Sequence, residues 1–343
     1  MSSEAIKRVE DAIEDIKRGK MVIMMDDEDR ENEGDLVYAA TFSTPDMVNF
    51  MAKEARGLIC TPITKDIAKR LELMPMVSNN DSAHETAFTV SIDSANAKTG
   101  ISACERDDCI KKLASPIAKA NDFVRPGHIF PLIAKDGGVL VRTGHTEGSI
   151  DLCKLAGVAP VAVICEIIKD DGTMARYDDL QEFKKKHNLK IVYISDIVEY
   201  RLAKEQLVVE INRENIEFFG IKVEKIDFKD HLNRVHSVIK FYSANKKENV
   251  KFHNISRDID LLLNEKRYKN LIKSIEYLKL NGGLLIFLDT KIISKEQAKE
   301  YGIGAQILKA LGVEEINLLT TNKETEFVGL SGFGLNVAKK IVL

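Results

Sequence analysis

The chain has 343 residues, 44% of them hydrophobic and 30% charged, with a formal net charge of −3. These are the proportions of a soluble globular protein too long for one ordinary core, so two domains are expected. The charge argues against a basic surface spread over the molecule, so no nucleic-acid partner is expected. No apolar run approaches the ~20 residues needed to span a bilayer, and residues 1–20 lack the apolar stretch of a secretion signal, which predicts a cytoplasmic protein without membrane attachment.

Apolar positions in residues 4–19 recur at helical spacing, with Gly19 as a C-cap, and a buried strand follows at 21–25. A carboxylate-crowded loop leads to a second strand at 36–42, and Thr44 and Pro45 open a helix to about 55. A short helix is expected over 64–73, a strand over 87–93, and a turn at 99–102 leading into a helix over roughly 106–119. Segments 125–134 and 137–145 read as strands broken by Gly and Pro. A helix at 147–156, a buried strand at 161–168, a turn and helix start at 170–180, and a strand and helix ending near 202 complete the first half. Without one repeating βαβ period, the expected class is α/β with a mixed, α+β-like sheet. After about 203 lysine and asparagine become frequent. Antiparallel strands, a helix near 266–280, a strand at 282–289, partial helix over 295–311 and a strand into a turn at 317–322 describe a smaller α+β unit. The domains are expected at 1–203 and 210–343.

The loop after the first strand carries Asp26, Asp27, Glu28, Asp29, Glu31, Glu33 and Asp35 around a single Arg30. Carboxylates this close repel unless a cation neutralises them, and oxygen-rich clusters suit Mg²⁺ or Mn²⁺. A solvated acidic turn explains the loop alone equally well. The run Arg142, Thr143, Gly144, His145, Thr146, Glu147 offers a guanidinium for phosphate, an open backbone and a histidine for metal or proton transfer. His128 follows a Pro-Gly pair, and Glu166 sits in an apolar strand, where a carboxylate needs a partner or an altered proton affinity. The five cysteines, Cys60, Cys104, Cys109, Cys153 and Cys165, have irregular spacing and no C-x-x-C, fitting neither a disulfide framework nor a zinc knuckle. Dinucleotide, Walker and serine-hydrolase signatures are absent. The set therefore describes a site for a small phosphorylated, oxygen-rich molecule.

Taken in order, DDEDRENEGDL (26–36), FTVSID (88–93), TGISA (99–103), RPGHIFPL (125–132), GHTEGSIDL (144–152) and ICEIIKDDGTMAR (164–176) closely resemble 3,4-dihydroxy-2-butanone 4-phosphate synthase of riboflavin biosynthesis. The resemblance spans about residues 1–202. It implies a magnesium- or manganese-dependent lyase that converts D-ribulose 5-phosphate to the butanone phosphate and formate, on a compact α/β domain forming a homodimer. It also implies Glu31 and His145 as metal ligands and His128 and Glu166 as proton-transfer residues. Substrate contacts are implied at Arg30, Glu31, Asp35, Arg142, Thr143, Gly144, His145, Thr146 and Glu166, with Cys60 and Thr99 lining the pocket. Two departures are modest: Glu105 replaces an expected aspartate, and Gly148 with Ser149 replaces a small apolar pair.

The segments 301–322 and 329–341 resemble the C-terminal region of the GTP cyclohydrolase II domain often fused behind such a synthase. That family holds zinc with three cysteines, and no cysteine follows Cys165 here. The glycine-rich segment expected after the 282–289 strand is replaced by DTKII. No zinc and no GTP-opening activity are therefore expected. His231, His236 and His253 are the remaining candidates for a replacement metal site.

Overall fold

Val9, Ala12 and Ile16, spaced at helical intervals, are fully buried and make the inward face of α1 (Ser3–Lys17). The computed structural model describes residues 3–28, 30–84, 86–242, 248–289, 297–320 and 335–343. They divide into two compact units, one running to Tyr200 and the other Arg201–Leu343. Of the expectations above, those at Asp29, within the 290–293 replacement segment, at 321–322 and at 329–334 lie outside the described residues.

In the first unit α1 is followed by β1 (Val22–Met25), β2 (Gly34–Ala39), α2 (Pro45–Phe50), β3 (Cys60–Ile63), α3 (Lys65–Arg70) and β4 (Ile92–Ser94). Then come α4 (Ala103–Ala114), β5 (Phe123–Ile133), α5 (His145–Leu155), β6 (Ala162–Glu166), α6 (Tyr177–His187), β7 (Ile191–Tyr193) and α7 (Ile194–Lys204). The strands form one mixed sheet in the order β4-β5-β3-β6-β2-β1-β7. Both faces are covered. Ile23, Leu36, Tyr38, Val163 and Cys165 pack with α2, α4 and α6. Val22, Met24, Val37, Ala39, Cys60 and Ile164 pack with α1, α5 and α7. Burial on both sides explains why β1 and the later part of β2 read as apolar runs rather than alternating ones; β3 was not anticipated from the sequence.

Side chains two residues apart share a face of a strand. Asp35 follows the face of Val37 and Glu166 that of Ile164, and the two acids are paired across β2 and β6. Both therefore lie on the α5 side at one end of the sheet.

Several boundaries differ from expectation for local reasons. Segment 137–145 is no strand. Gly137 and Gly138 take positive φ of 93° and 64°, and a tight turn over Gly138–Leu140 leads towards α5. A Cβ at Gly138 would lie 2.2 Å from Asp151 Oδ1, and Val139 N donates to Asp151 Oδ2 at 2.8 Å; the backbone closes on a buried acid instead of extending. The helix expected from 147 begins at His145, which places that histidine in its first turn. The 36–42 strand stops at Ala39 and tightens into a turn over Ala40–Phe42. The 87–93 strand shortens to Ile92–Ser94, preceded by isolated bridges at Phe88 and Thr89. The 106–119 helix starts at Ala103 because the Ser102 hydroxyl accepts from Glu105 N, and it stops before Pro116.

The second unit contains β8 (Val208–Phe218), β9 (Ile221–Asp230), β10 (Val235–Phe241), β11 (Glu248–Asn254), α8 (Asp258–Leu263), α9 (Glu265–Asn281) and β12 (Gly283–Leu288). It ends with α10 (Gln297–Ala310), β13 (Glu315–Thr320) and β14 (Asn336–Val342). Its sheet runs β14-β13-β11-β12-β10-β9-β8, and α9 packs Leu271, Ile275 and Leu278 against Leu285 and Val223. β11, α8 and β14 were not anticipated from the sequence. The α+β expectation holds for this unit, and the mixed α/β sheet for the first.

Candidate active site

β1 and β2 are antiparallel, with Met25 opposite Gly34, so the acidic loop is their connection. Asp26 organises it. Its buried carboxylate accepts from Glu33 N at 2.8 Å on Oδ1, and from Glu31 N at 3.1 Å and Arg30 Nη1 at 2.8 Å on Oδ2. Arg30 Nη1 also donates to Glu31 Oε2 at 2.6 Å. Arg176 closes the loop from outside by donating to the carbonyls of Glu31, at 2.7 Å, and Asn32. The arginine expected to grip substrate thus spends a guanidinium nitrogen inside the loop, neutralising two of its acids.

Opposite the loop stands His145. Its Nδ1 lies 3.7 Å from Glu31 Oε2 and its Nε2 3.8 Å from Asp35 Oδ1. Both distances are too long for hydrogen bonds. His145 Nε2 and Asp35 Oδ1 are buried with no hydrogen-bond partner, an expensive state for polar atoms unless something else engages them. One ligand atom each from Asp26, Glu31 and His145 lies within 4.8 Å of the others. Two carboxylates and an imidazole suit a divalent ion of the magnesium or manganese class.

The proton affinities show the same crowding. Burial disfavours the charged imidazole, yet Asp35, Glu31 and Asp26 outweigh it and lift His145 to about 9. Burial pushes Asp35 up to about 7, opposed by His145 and reinforced by Glu166, Glu31 and Glu33. Glu31 is partly desolvated, but His145 and Arg30 hold it down at about 2. A bound divalent cation would take over the positive charge that His145 supplies here.

Glu166 ends β6 beside Asp35. Its Oε2 accepts from Leu58 N at 2.9 Å, and a Cβ at Gly57 would collide with it at 2.7 Å. The expected partner of this carboxylate is therefore a backbone amide. Cys60, at the start of β3, is 2% exposed, and burial, with Glu166 and Asp35 nearby, raises its thiol far above the usual range. It packs as a neutral thiol at the wall of the site.

Arg142 lies 2.5 Å from Glu147 Oε2 through Nη1, while Nε and Nη2 donate to His84 O at 3.1 and 2.9 Å. A Cβ at Gly144 would lie 2.2 Å from Arg142 Nη1, so the guanidinium packs directly over this glycine. Thr146 is buried in the first turn of α5, and Thr143 precedes that helix, half-buried. The segment held by Arg142 carries His84 to 3.8 Å from Glu31 Oε1.

The family profile of 3,4-dihydroxy-2-butanone 4-phosphate synthase matches residues 10–200, over the unit that carries these groups. The chain belongs to that family. A GTP cyclohydrolase II profile matches residues 253–342. A protein of Wolinella succinogenes named 3,4-dihydroxy-2-butanone 4-phosphate synthase is 58% identical over 98% of this chain and 97% of its own length. The riboflavin biosynthesis protein RibBA of Bacillus mycoides is 43% identical over 98% of this chain and 93% of its own. RibBX, a two-domain synthase from A. baumannii, superimposes with a TM-score of 0.80 at 37% identity, covering 98% of each chain. A synthase solved in complex with two magnesium ions gives a TM-score of 0.53 at 41% identity, over 55% of this chain and 94% of its own.

Of the residues singled out in the synthase unit, Glu31, Asp35, His145 and Glu166 gather at one end of the sheet, with Arg30 and Cys60 around them. His128 and Thr99 lie elsewhere. His128 is on β5, separated from β6 by β3, and is bonded to Asp93. Thr99 is exposed, and both its N–H and its hydroxyl donate to Glu105. Sequence reasoning named Asp26 among the loop acids and quoted Asp93 within FTVSID without giving either a role, and it did not single out His84, which nothing local marked. In the second unit, metal-ligating groups do not cluster among the described residues. His236 instead lies 3.3 Å from Asp230 Oδ2 through Nε2 and accepts from Asp289 N through Nδ1.

Proposed function

We propose that the first unit converts D-ribulose 5-phosphate to L-3,4-dihydroxy-2-butanone 4-phosphate and formate in riboflavin biosynthesis. The observation that carries this reading is the convergence of Asp26, Glu31 and His145 within 4.8 Å, beside the buried His145 Nε2 and Asp35 Oδ1, which lie 3.8 Å apart and have no hydrogen-bond partner. Glu31 and His145, joined by Asp26, would hold Mg²⁺ or Mn²⁺. The bound ion would supply electrostatic stabilisation of the negative charge that enolisation and formate loss develop on adjacent substrate oxygens.

The chain's own groups do the rest. Enolisation, dehydration, skeletal rearrangement and formate loss need protons taken and returned at neighbouring carbons and oxygens. Glu166, fixed by Leu58 N, is assigned to these transfers, and His128, which lies apart from this cluster within one chain, joins them in the reading of a homodimer whose sites lie near the subunit interface. Asp35, buried beside His145, is assigned to bind a substrate hydroxyl. Thr143, Gly144, Thr146 and the start of α5 bind the phosphate through hydroxyls and backbone N–H groups, and Arg142 joins them when substrate replaces the carbonyl of His84. Arg30 acts by keeping Glu31 ionised. Cys60 is assigned to the pocket wall, Thr99 could line it only from the second chain of the homodimer, and a cytoplasmic location is part of the reading.

We further assign no GTP cyclohydrolase II activity to the second unit, because no thiolate follows Cys165 to hold a zinc ion for water activation. Formate release decides both points on the full chain. Ribulose 5-phosphate should yield formate, EDTA should stop it and Mg²⁺ should restore it, while GTP should yield none with or without Zn²⁺. Turnover in EDTA would overturn the metal assignment, and formate from GTP would overturn the reading of the second unit.

A further inference from the structure

We propose that Asp93 is a positioning residue for His128: it fixes the ring's tautomer and orientation so that Nε2 is presented outward as the proton-transfer atom. The inference rests on the reading of His128 as a proton-transfer residue. It stands on the way one carboxylate grips one histidine twice. Asp93 Oδ1 accepts from His128 N at 2.8 Å, and Oδ2 lies 2.8 Å from His128 Nδ1. Backbone and ring are thus held by the same rigid group, which leaves the imidazole little freedom to turn. Asp93 is buried at 7% exposure, whereas the His128 side chain is 43% exposed. The supported end of the ring is inside and the working end is outside.

A carboxylate accepting on both oxygens makes Nδ1 the donor, so the lone pair of the neutral ring is on Nε2. The same logic orients the histidine in other acid–histidine pairs, where replacing the acid by its amide turns the ring to the wrong tautomer.

The carboxylate itself is braced. The β4–β5 register slips between Ile92 and Asp93, an irregularity of the kind that re-aims a side chain. Ser91 Oγ accepts from Gly127 N at 3.2 Å, anchoring the residue before His128. On the far side sits Gly100, whose φ is +82° and whose hypothetical Cβ would lie 2.0 Å from Asp93 Oδ2. Gly100 belongs to the turn that the sequence marked as TGISA, and Glu105 ties that turn together. It accepts from Lys98 N at 2.6 Å, Thr99 N and Gly100 N at 3.2 Å, and the Thr99 and Ser102 hydroxyls at 3.0 Å. The motif therefore works at a distance: Glu105 shapes the turn, Gly100 backs Asp93, and Asp93 aims His128.

The test uses the full-length protein with Mg²⁺ and compares wild type, Asp93→Asn and His128→Ala. Nitrogen-15 NMR of the wild-type His128 ring should show the proton on Nδ1. In Asp93→Asn it should move to Nε2, with kcat falling on the order of 10²-fold or more and KM changing by less than about threefold. A wild-type ring protonated on Nε2 overturns the proposal, whether or not the variant folds. So does an Asp93→Asn protein with wild-type kcat while His128→Ala is inactive. Asp93→Asn that loses thermal stability but keeps kcat per folded molecule assigns Asp93 a purely structural role and also overturns it. Full activity in His128→Ala would instead remove the role of His128 itself, a failure distinct from the first.

Discussion

Asp26 is the residue whose importance grew most between sequence and structure. It accepts from Arg30 and from the amides of Glu31 and Glu33 while lying in the cluster with Glu31 and His145. Asp26→Asn should therefore lower kcat/KM by about 10²-fold, or about 2.7 kcal/mol of transition-state stabilisation, and weaken Mg²⁺ binding in titration; wild-type values for both would show that the acid only shapes the loop. His145 carries a second expectation. Held at about 9 by burial set against Asp35, Glu31 and Asp26, it is protonated at neutral pH and must lose that proton to ligate a metal. Mg²⁺ affinity should rise as pH increases towards 9, with proton release seen by calorimetry in buffers of different ionisation enthalpy. Affinity independent of pH between 6 and 9 would exclude His145 as a ligand. Glu31 and His145 were legible in the sequence because each sits in a long contiguous motif. The internal pairing of Arg30 was not, because which carboxylate an arginine meets depends on loop geometry.

Among the elements, the turn at 98–102 and helix α4 make Glu105 a measurable case. Hydrogen bonds from Lys98 N, Ser102 and Thr99 hold its carboxyl at about 2, below the ordinary 4.5. Because the folded value is depressed, its contribution is complete above about 4.5 and is lost as pH falls towards 2. The difference in urea midpoint between wild type and Glu105→Gln should accordingly be largest near neutral pH and close by pH 2. A difference constant with pH would refute the linkage. The extra methylene that distinguishes this residue from the expected aspartate lets one carboxylate reach donors from Lys98 to Ser102. At the other departure, a Cβ at Gly148 would lie 2.6 Å from Met24 Sδ; the glycine leaves room for the long side chain of β1. Helix α6 gives a packing test. Leu180 is fully buried and lies against Gly34 at the start of β2, where a Cβ would meet Leu180 Cδ1 at 2.5 Å. Leu180→Ala should destabilise the first unit by about 2–5 kcal/mol, read from chemical unfolding; a loss below ~1 kcal/mol would mean the site collapses around the smaller side chain.

At the scale of the whole molecule, two units carry separate apolar clusters. Ile23, Leu36 and Val37 belong to the first, and Leu278, Leu285 and Leu319 to the second. Leu278, on the inward face of α9, is fully buried, so Leu278→Ala should cost that unit about 2–5 kcal/mol. Amide exchange should accelerate across β10, β12 and α9 and remain as in wild type in β1, β2 and β6. Acceleration spread equally over both sheets would show one cooperative unit instead of two. The described residues contain no helix long and apolar enough to cross a membrane.

The sequence by itself determined most of the strands and helices of the first unit, though neither β3 nor the turn at 137–145, together with the make-up of the acidic loop and the absence of cysteine after Cys165. These are properties of contiguous residues, where periodicity, turn chemistry and residue type act locally. Tertiary structure alone decided that Asp26 joins Glu31 and His145 in one cluster, that Arg142 holds the segment bearing His84, that 137–145 is a turn closed on Asp151, and that Asp93 grips His128. Each of those depends on groups far apart in the chain meeting within a few ångströms, which burial, sheet register and backbone sterics settle together. The acidic loop needed both kinds of information: its composition left a cation site and a solvated turn equally open, and its folded geometry brings Asp26 and Glu31 together with His145.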